Sequence, residues 1–146
     1  MSVLELNGRI FDASTTGTLT LTSESGAATT DVTQGLNKAW INLNGTGTIA
    51  LRDSLNVSGV TDVSQGKYTV AINNDMADVN YATVVGNGGY NGGQDLRFQT
   101  GLLGNDNHDW GNYTAGTFQL QTKNVANDST MEDGSLICVT VSGSLA

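Results

Sequence analysis

From Lys38 onward, short apolar and β-branched runs recur every ten to fifteen residues or so, separated by Gly and Asn, the rhythm of a sandwich or jelly roll. The runs predict strands at Ala39–Leu43, Thr48–Leu51, Leu55–Val60, Tyr68–Ile72, Tyr81–Val85, Leu96–Thr100, Thr117–Thr122 and Leu136–Ser142. Eight strands of this length suit two facing antiparallel sheets. In Lys67-Tyr68-Thr69-Val70-Ala71-Ile72 the large groups Tyr68, Val70 and Ile72 alternate with small or polar ones, the period of a sheet with one dry face. Leu96-Arg97-Phe98-Gln99-Thr100 and Phe118-Gln119-Leu120-Gln121 repeat it. Asn44-Gly45-Thr46-Gly47 offers residues that tolerate positive φ, so a hairpin is expected between Trp40-Ile41-Asn42-Leu43 and Thr48-Ile49-Ala50-Leu51, with Trp40 anchoring one sheet on the other. Asp53-Ser54 and Asp62 are expected to bind turn backbone, and Gly66 to end the loop before the Tyr68 strand. Asp75-Met76-Ala77-Asp78-Val79 leans helical but is too short to stand alone, and reads as a single turn linking two strands.

The chain divides near Gly35. Residues 1–36 are sparse in large apolar groups: Val3-Leu4-Glu5-Leu6, Ile10-Phe11 and Thr18-Leu19-Thr20-Leu21-Thr22 precede a polar run to Gly35. The Thr18–Thr22 alternation is strand-like but cannot make a core of its own. The expected organisation is therefore a strand-forming arm over 1–36, which docks on a neighbouring subunit or a larger assembly, and an antiparallel, jelly-roll-like β-sandwich over 37–146. Candidate assembly contacts in the arm are Leu4, Leu6, Ile10, Phe11, Leu19 and Leu21.

Composition narrows the function. Gly, Thr, Asn and Ser fill 64 of the 146 positions, which argues against a helical bundle. Fourteen acidic residues against six basic leave a net charge of −8, too acidic for a nucleic-acid or anionic-membrane surface. The nine aromatic residues make a thin interior for this length, and there is no proline to blunt sheet edges, so association with further copies is expected to complete the fold. A single cysteine, Cys138, forbids an intrachain disulfide and reads as a small core side chain. The N-terminal residues lack the basic and apolar regions of a signal peptide, and no run approaches a membrane span, so the reading is a chain made in a cytosol.

Catalytic equipment is weak throughout. Gly86-Asn87-Gly88-Gly89-Tyr90-Asn91-Gly92-Gly93 lacks the spacing and lysine of a phosphate loop. Asn105-Asp106-Asn107-His108-Asp109-Trp110-Gly111-Asn112 holds the only histidine, but it fails as an EF-hand because glycine comes one place late and the distal Glu is missing. It reads as a turn closed by its own Asx bonds, with Ca²⁺ binding at 105–112 as the minor alternative. No nucleophile elbow accompanies His108, and Asp75 with Asp78 is the nearest carboxylate pair elsewhere, flanking a short turn. No catalytic residue, cofactor or resident metal is assigned. Tyr90, Trp110 and Tyr113 lie in Gly- and Asn-rich loops, where a ring could stack on a sugar face; the competing role is to plug a sandwich end or a subunit seam. The Asn-x-Ser/Thr patterns at Asn56, Asn112 and Asn127 are those expected by chance in an Asn-rich chain.

The segment KAWINLNGTGTIALRDSLNVSGVTDVSQGKYTVAINNDMADVNY, Lys38–Tyr81, resembles a domain of tailed-bacteriophage virion proteins, cyanophage types especially, that ends tail fibres or forms surface-decorating subunits. The landmarks are Lys38-Ala39-Trp40, Asn44-Gly45-Thr46-Gly47, Asp53 to Ser58, Asp62, Gly66-Lys67-Tyr68 and Met76 to Tyr81; Asp95-Leu96-Arg97-Phe98 and Val139 to Gly143 fit the same domain's last strands. The resemblance implies a non-enzymatic virion protein and, by analogy, a homotrimer. Two functions follow from it: a capsid decoration or cement protein that binds the major capsid protein or another virion protein and stabilises the shell, or the distal module of a tail or head fibre that recognises a host-surface glycan. The absence of a long shaft before Lys38 and the strand-forming arm favour the first.

Overall fold

The computed structural model describes residues 3–6, 9–12, 20–22, 29–88, 98–102, 113–124 and 130–146. The chain separates into two units, Met1–Leu36 and Asn37–Ala146. In the first, β1 (Val3–Leu6) pairs antiparallel with β2 (Arg9–Asp12), and β3 (Thr20–Thr22) pairs with β4 (Thr29–Asp31) before one helical turn, α1 (Val32–Gly35). The Thr-rich strand expected at Thr18–Thr22 thus finds its partner inside the unit, in a segment whose polarity suggested no strand. Threonine's β-branched geometry suits an extended backbone without an apolar neighbour.

The second unit contains β5 (Asn37–Asn44), β6 (Ala50–Leu55), β7 (Val57–Ser64), β8 (Lys67–Ile72), β9 (Ala82–Gly88), β10 (Phe98–Leu102), β11 (Thr117–Asn124), β12 (Thr130–Met131) and β13 (Leu136–Ser142). Every expected strand has its counterpart, although Leu96 and Arg97 lie outside the described residues. All pairings are antiparallel, in two sheets. One runs β6-β5-β13-β9; the other runs β10-β11-β8-β7, with β12 taking up the end of β11 that extends past β8. The fold is an all-β sandwich.

The core follows from period two. Ala39, Ile41 and Leu43 of β5 and Ile137, Val139 and Val141 of β13 point inward from one sheet, and meet Tyr68, Val70 and Ile72 of β8 and Phe118 and Leu120 of β11 from the other. That parity overturns two expectations. Trp40 does not anchor sheet on sheet: with Ala39 and Ile41 fully inside, it stands on the outer face, partly exposed, opposite Leu55 and Thr140. Cys138 sits on the same outer face, between Asn42 and Gly86, and is only half-buried. A shift of one residue exchanges faces, and the stronger apolar set of each strand takes the interior.

Two reversals, one expected and one not, have different mechanisms. The β5–β6 hairpin closes as expected, with Asn44 opposite Ala50, and Gly47 alone supplies positive φ, at 67°. Gly45 is there for size, since a Cβ would run into the Tyr68 hydroxyl. The run Leu55–Val60, expected as one strand, is broken at Asn56, whose φ of 54° turns the chain from β6 in one sheet into β7 in the other. Its side chain holds the corner by accepting from Asn74 N at 2.7 Å and donating to Asn74 O at 3.0 Å. Asparagine is among the few residues that tolerate this conformation, which is the signal the sequence carried. Residues 73–81 form the short link expected between β8 and β9, with Met76 buried and bridged to Leu145.

Candidate functional site

Among the described residues, the hydrogen bonds that reach into the sandwich gather at its two ends. At one end the Tyr68 hydroxyl donates to Asp133 Oδ1 at 2.7 Å, and the same oxygen accepts from Gly66 N at 2.7 Å. Gly45 N donates to Gly134 O at 2.8 Å, and Thr122 N donates to Gly66 O at 2.7 Å. Thr122 Oγ1 donates to Glu132 O, so the β5–β6 hairpin, the β7–β8 turn and the segment entering β13 are stitched together. Burial, with the Asp133 carboxylate beside it, holds the Tyr68 hydroxyl far above its ordinary range.

At the other end Tyr81 and Tyr113 stack with centroids 4.7 Å apart, and Tyr113 leans on Phe118 at 6.3 Å. Tyr81 donates to Thr114 O at 2.9 Å, and Tyr113 donates to Thr83 Oγ1 at 3.1 Å. Burial raises both hydroxyls as well. Of the three rings considered for sugar stacking, Tyr113 is thus half-buried against the core with its hydroxyl engaged, while Tyr90 and Trp110 lie outside the described residues.

Because the three folded-state hydroxyls titrate above the ordinary 10.0, the unfolded chain loses these protons first as pH rises. The contribution of these tyrosines to stability should be level below about pH 9 and fall from about pH 10 upward. Tyr68→Phe should cost about 1–3 kcal/mol at neutral pH, because Asp133 loses a buried donor, and should make the alkaline fall shallower. Urea titrations of both chains at pH 7 and pH 10.5 test this; an equal alkaline slope in the two would contradict it.

The remaining candidates place as follows. Asp78 Oδ1 accepts from Asn80 N at 2.7 Å, a local turn bond, and Asp75 O accepts from Ala146 N at 3.0 Å. Gly86, Asn87 and Gly88 belong to β9. Residues 105–112 with His108 lie outside the described residues, and among the described residues no three His, Cys, Asp or Glu side chains gather around a common point. In the arm, Leu4 lies opposite Phe11, Ile10 opposite Glu5, Leu6 opposite Arg9 and Leu21 opposite Thr30; Leu19 is outside the described residues.

A surface feature that the sequence reading missed lies on the outer face of the β6-β5-β13-β9 sheet. Register aligns Leu55, Trp40, Thr140 and Val84 in one row across all four strands. Leu55 is 47% exposed and Val84 69%. The outward residues of β13 and β9, namely Leu136, Cys138, Thr140, Ser142, Ala82, Val84, Gly86 and Gly88, carry no charge. Opposite them, the outer positions of β8 and β11 are Lys67, Thr69 and Ala71 with Thr117, Gln119, Gln121 and Lys123, and Gln119 Nε2 donates to Thr69 Oγ1 at 3.0 Å. The uncharged stretch is confined to β13 and β9, for the β5 and β6 half of the same face carries Lys38 and, opposite Asn42, Asp53. The row was invisible in sequence because it is assembled from four strands whose register no local pattern specifies.

Comparison of the chain with known protein families, with curated proteins and with solved structures finds no match.

Proposed function

We propose that the chain is a non-enzymatic structural protein of a tailed-bacteriophage virion, a homo-oligomeric decoration protein that binds and stabilises the capsid surface through its arm, residues 1–36, and the base of its sandwich. The observation that carries this reading is the resemblance over Lys38–Tyr81, whose landmarks fall on framework positions: the β5–β6 hairpin, the Asn56 corner, the β7–β8 turn and the Met76–Tyr81 link. The division into an arm unit and a sandwich, and an uncharged stretch on the outer face of β13 and β9 in a chain of net charge −8, are further support. Such a surface would keep unassembled copies soluble and away from packaged DNA, while leaving one face for protein contacts.

Immunogold labelling of particles tests the address. Label distributed over the head is the expected result, and particles lacking the chain should release DNA at a lower temperature than decorated ones. Label confined to the tail would replace this reading with that of a fibre module recognising host glycan.

A further inference from the structure

The chain enters the sandwich at Asn37, opposite Ser142, so residues 1–36 join it at the end that also carries the 73–81 link and the closing residues 143–146. Main-chain bonds tie these stretches into one platform. Met76 N donates to Ala115 O at 2.9 Å, Ala77 N to Ser144 O at 2.9 Å, Ala146 N to Asp75 O at 3.0 Å and Asn73 N to Asn56 O at 3.0 Å. Met76 is buried, but the platform also turns apolar side chains to the outside: Val79 is 51% exposed and Leu145 44%. Leu55, exposed as well, closes β6 next to the Asn56 corner at the same end. At the opposite end Val63, before the β7–β8 turn, is the one large apolar side chain exposed among the described residues. The link carries two exposed carboxylates, Asp75 and Asp78, and neither it nor residues 143–146 contains Lys or Arg.

We infer that this end is the base of the sandwich, and that Val79, Leu145 and Leu55 dock on an apolar protein surface of the capsid bordered by Lys or Arg side chains. The inference rests on the proposed function and adds to it the end that docks, the residues and the chemistry of the partner. Three observations select the occupant. A tether joined at Asn37 brings its own end of the sandwich, and not the Tyr68 end, to whatever holds residues 1–36, at high effective concentration. Val79, Leu145 and Leu55 gain by leaving water only against a surface that is itself apolar. Asp75 and Asp78, which adjoins Val79 in the chain, oppose a second copy of net charge −8 and favour a basic border. Because hydrogen bonds already order the platform, docking costs little further conformational entropy.

Titration of the full chain onto particles assembled without it, read by co-sedimentation, tests this. Val79→Asp combined with Leu145→Asp should weaken binding by about tenfold or more. Val63→Asp, the same change at the other end, should leave it as in wild type. Asp75→Asn combined with Asp78→Asn should weaken binding about threefold at low salt and leave it unchanged at high salt. Near-ultraviolet circular dichroism should match wild type throughout, because these side chains lie outside the core. If the pair with Leu145→Asp alters that spectrum, Val79→Asp alone decides, since Val79 takes no part in the bridge between Met76 and Leu145. A folded Val79 variant that binds like wild type, or a Val63→Asp loss of equal size, would overturn the inference and leave capsid binding standing. A wild-type chain that does not bind the particles would remove the proposed function and this inference together.

Discussion

Gly66→Ala should destabilise the sandwich by about 3–5 kcal/mol, at the upper end of what single substitutions cost. Gly66 sits at φ +68° in the β7–β8 turn, and a Cβ there would lie 2.5 Å from Thr122 O, 2.8 Å from Glu132 N and 2.9 Å from Glu132 O. All three are main-chain atoms of segments held by Thr122 N to Gly66 O and Glu132 N to Thr122 O, so no side chain can swing away. Gly47 is the control. Its φ of +67° is nearly the same, but nothing lies within 4 Å of its Cβ position. Gly47→Ala should therefore pay only the left-handed backbone cost of about 1 kcal/mol. Urea unfolding of the two variants beside wild type separates the conformational part from the packing part; equal losses would mean that the close approach at Gly66 is not real.

Phe118→Ala should cost a further comparable amount, about 3–5 kcal/mol, by removing the largest apolar side chain that β11 places in the core. The cavity would open between Tyr113, which leans on the ring, and the inward residues of the facing sheet. Against a total of about 5–15 kcal/mol for a domain of ordinary stability, this leaves little margin. The informative comparison is Trp40→Ala. A core tryptophan would cost as much as Phe118, whereas Trp40 on the outer face should cost clearly less, about 1–2 kcal/mol in the single chain. Thermal melts of both variants should rank Phe118→Ala well below Trp40→Ala; the reverse order would put the wrong face of β5 inside.

Legibility in the sequence tracked how local the determining physics is. Strand β8 could be read from six residues because Tyr68, Val70 and Ile72 alternate with Lys67, Thr69 and Ala71, and all three large groups are buried. The β5 hairpin was readable from Asn44-Gly45-Thr46-Gly47 for the same reason. Trp40 was misplaced because size suggested the interior, while the face a strand buries is decided by its whole inward set, here Ala39, Ile41 and Leu43. The break at Asn56 looked like a continuous strand, since apolar residues flank it and only its backbone angle, held by Asn74 eighteen residues away, turns the chain. Of the candidate glycan rings, Tyr113 could be assigned its packing role only once Tyr81, Thr83 and Phe118 were brought beside it.

What the order of residues settled unaided was the all-β class, most of the places where the strands from Lys38 onward run, and a net charge of −8. These depend on side-chain period, turn chemistry and summed charge, which act over a few residues or over none in particular. Only the tertiary structure decided which face of each strand is buried, that the outward positions of β13 and β9 form an uncharged stretch, and that Tyr68, Gly66 and Asp133 share one buried knot. Each of those is a property of strand order and register, set by pairings between residues as far apart as Asn37 and Ser142 that compete globally for the same core.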